Sequence, residues 1–261
     1  MSRPVITLTT DFGQADGYVG AMKGVILSLC PDAALVDISH EIRPQAVEQA
    51  AYVLSTAVAY YPPGTVHLVV VDPGVGSERR PLAVQTERAM YVSPDNGVIS
   101  LALAQDPARQ AVRLAEQRYR LPSVSATFHG RDIFAPAAAH LACGASLIEM
   151  GEALPVSALV ELSISTPEPQ PGGWRCVILH VDRFGNLITN FQILPHQRGI
   201  EVSAGGRRIG PISHTFSDVA PGELLAYVGS SGYLELAARE GSAAETLSLD
   251  VGDMVQIEGT L

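Results

Sequence analysis

The sequence predicts an α/β protein carrying a second, smaller all-β barrel domain. Three observations lead there. Short apolar runs alternate with helix-periodic segments over the first half of the chain, and strand–helix–strand order builds a largely parallel or mixed sheet with helices on its faces. A breaker-rich stretch, Ser165-Thr166-Pro167-Glu168-Pro169-Gln170-Pro171-Gly172-Gly173, then interrupts the pattern. Beyond it the helical period fades, and strand-like runs follow one another between Gly-rich turns. The expected division is an α/β domain over residues 1–165, a linker over 166–173 and a β-barrel over 174–261.

Each element has a local reason. Residues 5–9 form a short β-branched run and predict the first strand; a helix follows over 18–29, and a second strand over 34–38. Val47, Ala50, Ala51, Leu54, Ala57 and Val58 recur at helical spacing until Tyr61-Pro62-Pro63-Gly64 stops them. Residues 66–71 are apolar enough for a buried strand. Further strands are expected over 82–86 and 90–93, with a short helix over 98–104. In the second half, strands are expected over 176–181, 200–203, 224–227, 233–238 and 254–257.

The 261 residues suffice for one large or two modest domains with cores of their own. A 47% hydrophobic and 17% charged composition belongs to a globular chain rather than a disordered one. The formal net charge of -10 argues against nucleic acid or an anionic membrane as partner and favours a cationic small molecule. Cys30, Cys143 and Cys176 lie far apart with no metal-ligand spacing, so the expectation is three small buried hydrophobes in a reducing cytosol, and no metal. No signal-peptide pattern opens the sequence, and no apolar run approaches the roughly 18 residues of a membrane span. The expected location is cytoplasmic.

Four loops concentrate polar residues at the ends of expected strands. Thr9-Thr10-Asp11-Phe12-Gly13 puts a carboxylate after the first strand, where it would accept hydrogen bonds from a ribose diol or merely close a turn. Asp72-Pro73-Gly74-Val75-Gly76-Ser77-Glu78-Arg79 ends the third strand abruptly. Its glycines let the backbone bend closely, and Arg79 can fold back on Asp72, as a catalytic pair or as a surface salt bridge. It matches neither a phosphate-binding loop nor a dinucleotide fingerprint. Phe128-His129-Gly130-Arg131-Asp132 places His129 ahead of a helix expected over 132–141, an electropositive end that favours a neutral imidazole. The other histidines, His196 among them, have no such context and read as packing or surface residues. Asp182-Arg183-Phe184-Gly185-Asn186 combines groups able to bind an amine, stack on a base and donate an amide hydrogen bond, or to form a polar hairpin. Gly229-Ser230-Ser231-Gly232 adds hydroxyls and open backbone amides suited to a carboxylate, or a simple turn.

Together with Val36-Asp37-Ile38-Ser39-His40 and Ser93-Pro94-Asp95-Asn96-Gly97, these ordered motifs span nearly the whole chain. They resemble the S-adenosylmethionine (SAM) hydroxide adenosyltransferases, the SAM hydrolases related to fluorinase and chlorinase. The resemblance implies an N-terminal α/β domain, a C-terminal β-barrel, and a homotrimer with each SAM site between neighbouring subunits. It implies a catalytic Asp72, Arg79 and His129. It gives Asp11 to the ribose, Asp182 and Ser230 to the methionine amine and carboxylate, and Phe184 and Asn186 to the adenine. Ser231 is a further substrate-binding position. SAM would be substrate rather than cofactor. The halogenase branch differs by an aromatic in place of Asp72 and a serine in place of Gly130. Hydrolysis is therefore the expected reaction, with a halogenase or a non-catalytic SAM or adenosine sensor as the alternatives. The stretch Ala237-Ala238-Arg239-Glu240-Gly241 departs from the family's Asn-rich pattern near the adenine edge, and no side-chain role is assigned there.

Overall fold

The computed structural model describes residues 3–163, 165–193 and 198–260, so the expectation for His196 lies outside the described residues. The chain divides into two compact units, Met1–Leu162 and Ser163–Leu261.

In the first unit, β1 (Val5–Thr10), β2 (Ala34–Ser39), β3 (Thr65–Val70), β4 (Pro81–Gln85), β5 (Ala89–Pro94), β6 (Gln110–Leu114) and β7 (Gly151–Leu154) form one sheet in the order β2-β1-β3-β5-β4-β6-β7. The β2, β1, β3 and β5 edges pair in parallel, and the β5, β4, β6 and β7 edges pair antiparallel. Every residue of β3 is buried, as a central parallel strand covered on both faces requires. Its side chains alternate between two cores. Val66, Leu68 and Val70 join Ile6 and Leu8 against α1 (Tyr18–Leu29) and α4 (Ala135–Ala142). Val69, and Val71 just past the strand's end, join Leu82 and Val84 against α2 (Val47–Ala57) and α3 (Ser100–Gln105). The result is a three-layer α/β/α unit.

Several expectations are corrected in detail. β3 stops at Val70, so Asp72 stands on a loop clear of the ladder. Strands β6 and β7 were not expected. The helix expected over 132–141 begins earlier, with a π-helical turn over Gly130–Phe134 that runs into α4. Cys30 and Cys143 are not two separate buried thiols. They form a disulfide between the C-terminal ends of α1 and α4, with Cys143 exposed. Cys176 is buried and free, and burial pushes its thiol up to about 12.

The second unit contains β8 (Glu168–Gln170), β9 (Gly173–Val181), β10 (Leu187–Gln192), β11 (Arg198–Ala204), β12 (Arg207–Ser213), β13 (Leu224–Val228), β14 (Tyr233–Ala238) and β15 (Met254–Thr260). The ring β10-β14-β13-β12-β11-β15-β9 closes through β9–β10 pairing, giving a seven-stranded barrel with no free edge in the ring. Trp174, Phe191, Leu234, Leu236 and Ile257 fill it. The short helix α5 (Ala243–Leu247), capped by the Ser242 hydroxyl, adds Ala243 and Leu247 to the same core. Within the expected linker, residues 168–170 pair with β9 as β8, so this Pro-rich piece is an edge strand of the barrel unit.

Candidate active site

The loop after β3 is built to fold back on itself. Val75 N–H donates to the Asp72 carbonyl at 3.2 Å, and both the amide and the hydroxyl of Ser77 reach the Gly74 carbonyl at 3.1 and 2.7 Å. These turns bring Arg79 back over Asp72. Its Nε donates to both carboxylate oxygens, at 2.8 and 3.0 Å, and its Nη2 donates to Oδ2. The two side chains are only 10% and 6% exposed, which removes the surface salt bridge as a description of the pair. Gly76 is needed for a second reason. It sits at φ +78°, and a Cβ there would lie 2.7 Å from the Ala126 carbonyl, so glycine alone lets this loop meet the segment that leads to His129.

That segment is tied down by Asp132, which is fully buried. Its carboxylate accepts from the Ser125 amide at 2.8 Å and from Arg131 Nε at 2.6 Å, while its own amide donates to the Phe128 carbonyl. Burial alone would raise the Asp132 pKa; the Arg131 and Ser125 hydrogen bonds outweigh it and hold the carboxyl below its ordinary value. His129 is thereby held with Nδ1 2.7 Å from Arg79 Nη2. Asp72, Arg79 and His129 thus form one connected cluster. Arg79 also lies over the Phe134 ring, 5.2 Å from its centroid. Burial and the Arg79 charge hold the His129 imidazole below its ordinary 6.5. Desolvation and the neighbouring cation favour the neutral ring, and His129 stands directly before the helical turn over Gly130–Phe134, the position expected from the sequence.

Asp11 lies on the loop after β1, with Oδ2 accepting from the Gln45 amide at 2.7 Å. Thr10 anchors this loop through a 2.8 Å hydrogen bond to buried His40, and Gly13 N–H donates to the His40 carbonyl. His40, read from the sequence as packing, is therefore a support of the Asp11 loop. Phe12 packs edge-on against Phe128 at 5.9 Å between centroids, so the Asp11 and His129 loops touch.

In the barrel unit, Asp182 organises the turn after β9. Its Oδ1 accepts from the Phe184 and Asn186 amides and its Oδ2 from Asn186 Nδ2, each at 2.9 Å. Gly185, at φ +80°, packs so tightly on Ser242 that a Cβ would meet its Oγ at 2.1 Å. Phe184 is left projecting, 75% exposed, while Asn186 is buried. Ser230 is exposed and Ser231 half-buried on the β13–β14 turn, which closes through Gly229 and Tyr233. Beneath that turn lies Glu235, a buried acid the sequence reading passed over. Burial raises its pKa, and the nearby Asp182 charge adds to the shift while a hydrogen bond from Tyr227 opposes it. Each loop is thus assembled within its own unit. Among the described residues, no group of three His, Cys, Asp or Glu side chains gathers as a metal site.

A family model for the SAM hydroxide adenosyltransferase N-terminal domain matches residues 6–151, and the model for its C-terminal domain matches residues 176–256. The chain belongs to this family. The N-terminal match contains Asp11, Asp72, Arg79 and His129, and the C-terminal match contains Asp182, Phe184, Asn186, Ser230 and Ser231. Among its relatives, the (R)-S-adenosyl-L-methionine hydrolase of Thermus thermophilus is 45% identical, covering 98% of this chain and 99% of its own. That of Salinispora tropica is 43% identical, covering 97% of each. Fluorinases match over similar lengths at 27–29% identity. A crystal structure of an uncharacterized conserved protein from Thermotoga maritima shares the fold with a TM-score of 0.88 and 34% identity, covering 97% of this chain and 99% of that one.

Proposed function

We propose that this protein hydrolyses SAM to adenosine and L-methionine, and that Asp72, Arg79 and His129 hold and activate the attacking water. The observation that carries the reading is the directly hydrogen-bonded Asp72–Arg79–His129 cluster, its acid and arginine largely buried and its histidine half-buried, in a chain whose full-length relatives are named SAM hydrolases. The oxygen of water attacks the ribose C5′ in line with the sulfonium. The C5′–O bond forms as the C5′–S bond breaks, the electron pair goes to sulfur, and methionine leaves as a neutral thioether. One water proton is lost as adenosine forms.

The cluster's chemistry assigns the parts. Arginine never gives up its proton here and cannot accept a hydrogen bond, so Arg79 Nη2 donates to His129 Nδ1. The neutral imidazole then carries its proton on Nε2. In that tautomer His129 orients the water as a donor and does not take its proton. Arg79 uses three of the roughly four acceptor sites of the Asp72 carboxylate; the one left makes Asp72 the group to receive that proton. Arg79 stabilises the developing hydroxide by charge.

The substrate is a cation, suited to a chain of net charge -10. Asp11, on the loop after β1, would accept from the ribose diol. Three of the roughly four acceptor sites of the Asp182 carboxylate are used within its own turn, leaving one for the methionine ammonium. Ser230 and Ser231 offer hydroxyls to the carboxylate, Phe184 a face for adenine, and Asn186 an amide for its edge. We further propose a homotrimer in which neighbouring subunits share each site, in the cytoplasm. A negative Asp72 beside the nucleophile position opposes a halide. Incubation with SAM and excess chloride should give adenosine and methionine; a 5′-chloro-nucleoside would identify a halogenase, and binding without any product a sensor.

A further inference from the structure

The motif Ser93-Pro94-Asp95-Asn96-Gly97 has no part in the site described above, yet it grips both ends of the loop that carries Asp72 and Arg79. At the near end, Asn96 Nδ2 donates to the Val71 carbonyl at 2.9 Å, one peptide before Asp72 and just past the end of β3. Val71 is fully buried, so this carbonyl has no solvent to turn to. At the far end, the Asp95 amide donates to the Arg80 carbonyl at 2.9 Å, one residue after Arg79. Arg80 Nε returns a 2.6 Å hydrogen bond to Asp95 Oδ2. The clasp is itself braced: Asp95 Oδ1 accepts from the Val160 amide and Asn96 Oδ1 from the Val98 amide. Gly97, at φ +87°, lies so close to Leu162 that a Cβ would stand 2.9 Å from its amide nitrogen.

We propose that Asn96 and Asp95 are positioning residues for hydrolysis, fixing the two ends of the Asp72–Arg79 loop so that the pair faces His129. The inference rests on the catalytic reading of Asp72, Arg79 and His129. A loop spanning only residues 72–79 between two fixed carbonyls has little freedom to move its acid and its arginine apart. Releasing one end leaves the loop folded by its own turns but lets Asp72 drift, and displacements near 1 Å at reacting groups cost about 10²-fold in rate. Of the two, Asn96 acts only through the backbone beside Asp72, which makes it the sharper test.

The experiment is steady-state SAM turnover for wild type, Asn96→Ala, Asn96→Asp and Asp72→Ala, with the double variants made in the Asp72→Ala background. Asn96→Asp retains the acceptor for Val98 but replaces the donor to the Val71 carbonyl with a carboxylate oxygen, turning that contact repulsive, so it releases the same end of the loop if Asn96→Ala does not fold. We expect kcat to fall about 10- to 100-fold with KM within about threefold, for both Asn96 variants. In the Asp72→Ala background the same changes should have almost no further effect on kcat, since the clasp works through Asp72. A kcat within twofold of wild type in the folded Asn96→Asp protein, or an equal fall with and without Asp72, overturns the proposal. Undiminished turnover of Asp72→Ala overturns the catalytic reading instead, whatever the Asn96 variants do.

Discussion

Arg79 Nη2 stands 2.7 Å from His129 Nδ1, and because a guanidinium can only donate, this contact fixes the tautomer of the imidazole. His129 is neutral, protonated on Nε2, with Nδ1 facing a cation. A second proton would have to enter at Nδ1, directly against Arg79.

The first prediction follows from that contact. Nitrogen NMR of the ring should show Nδ1 as the unprotonated, acceptor nitrogen, with a titration midpoint below 6.5 because burial and Arg79 both oppose the charged form. Turnover should stay flat as pH falls through 6.5 and decline only lower. An Nδ1–H ring, or a midpoint above 6.5, contradicts the assignment. His129→Ala should lose roughly 10²-fold in kcat, the usual scale for one aligned donor.

The charge of Asp72, not its shape, should carry its role. Asp72→Asn keeps the size of the side chain but leaves Arg79 without its counter-charge and the water without its proton acceptor. A fall in kcat of about 10²–10⁴-fold is expected, with a smaller change in KM. Arg79→Lys should be nearly as damaging, because a single ammonium cannot reproduce the fork to both Asp72 oxygens and the contact to His129. Stopped-flow chemistry alongside equilibrium SAM binding separates the two effects.

Phe184 tests the adenine contact proposed for the barrel unit. It is 75% exposed, so Phe184→Ala should leave the melting temperature within about a degree of wild type. If the ring stacks on adenine, KM should rise about tenfold, the scale of one base–aromatic contact. An unchanged KM would remove Phe184 from the binding surface.

Much of this was legible in the sequence, for identifiable reasons. The central strands β1 and β3 announce themselves because a parallel strand buried on both faces is mostly apolar and β-branched, as residues 66–71 are apart from His67. Asp72 and Arg79 stood out because an acid, two glycines and an arginine share one short loop. What escaped was non-local or masked by breakers. β6, Gln-Ala-Val-Arg-Leu, is a five-residue edge-like run beside Pro107, and β12 contains Gly210 and Pro211, which argue against a strand. The Cys30–Cys143 disulfide joins residues 113 apart, a pairing no spacing rule reaches. The supporting roles of Asp132 and His40 were not legible, because the contacts that reveal them, to the Ser125 amide and the Thr10 hydroxyl, are made only in the fold.

Acid should weaken the fold through His67. This ring is buried on β3, bonded to Thr7 and stacked on Tyr91, and burial lowers its pKa to about 4 from 6.5. Below pH 6.5 the unfolded chain takes up a proton that the native chain refuses until about pH 4, so stability drops as pH falls across that window. The full loss is about 3 kcal/mol at about 1.4 kcal/mol per pH unit, and His129 adds to it in the same direction. Denaturant melts at pH 7.5 and 4.5 should show the decline in wild type and a shallower one in His67→Gln. Equal slopes in the two proteins would assign the acid sensitivity elsewhere.

The central claim is that water is the nucleophile and C5′ its target. It is tested most directly by turning SAM over in ¹⁸O-labelled water and reading the products by mass spectrometry. The account predicts one ¹⁸O atom in the 5′-hydroxyl of adenosine and none in methionine. Unlabelled adenosine, or label appearing in methionine instead, would contradict it.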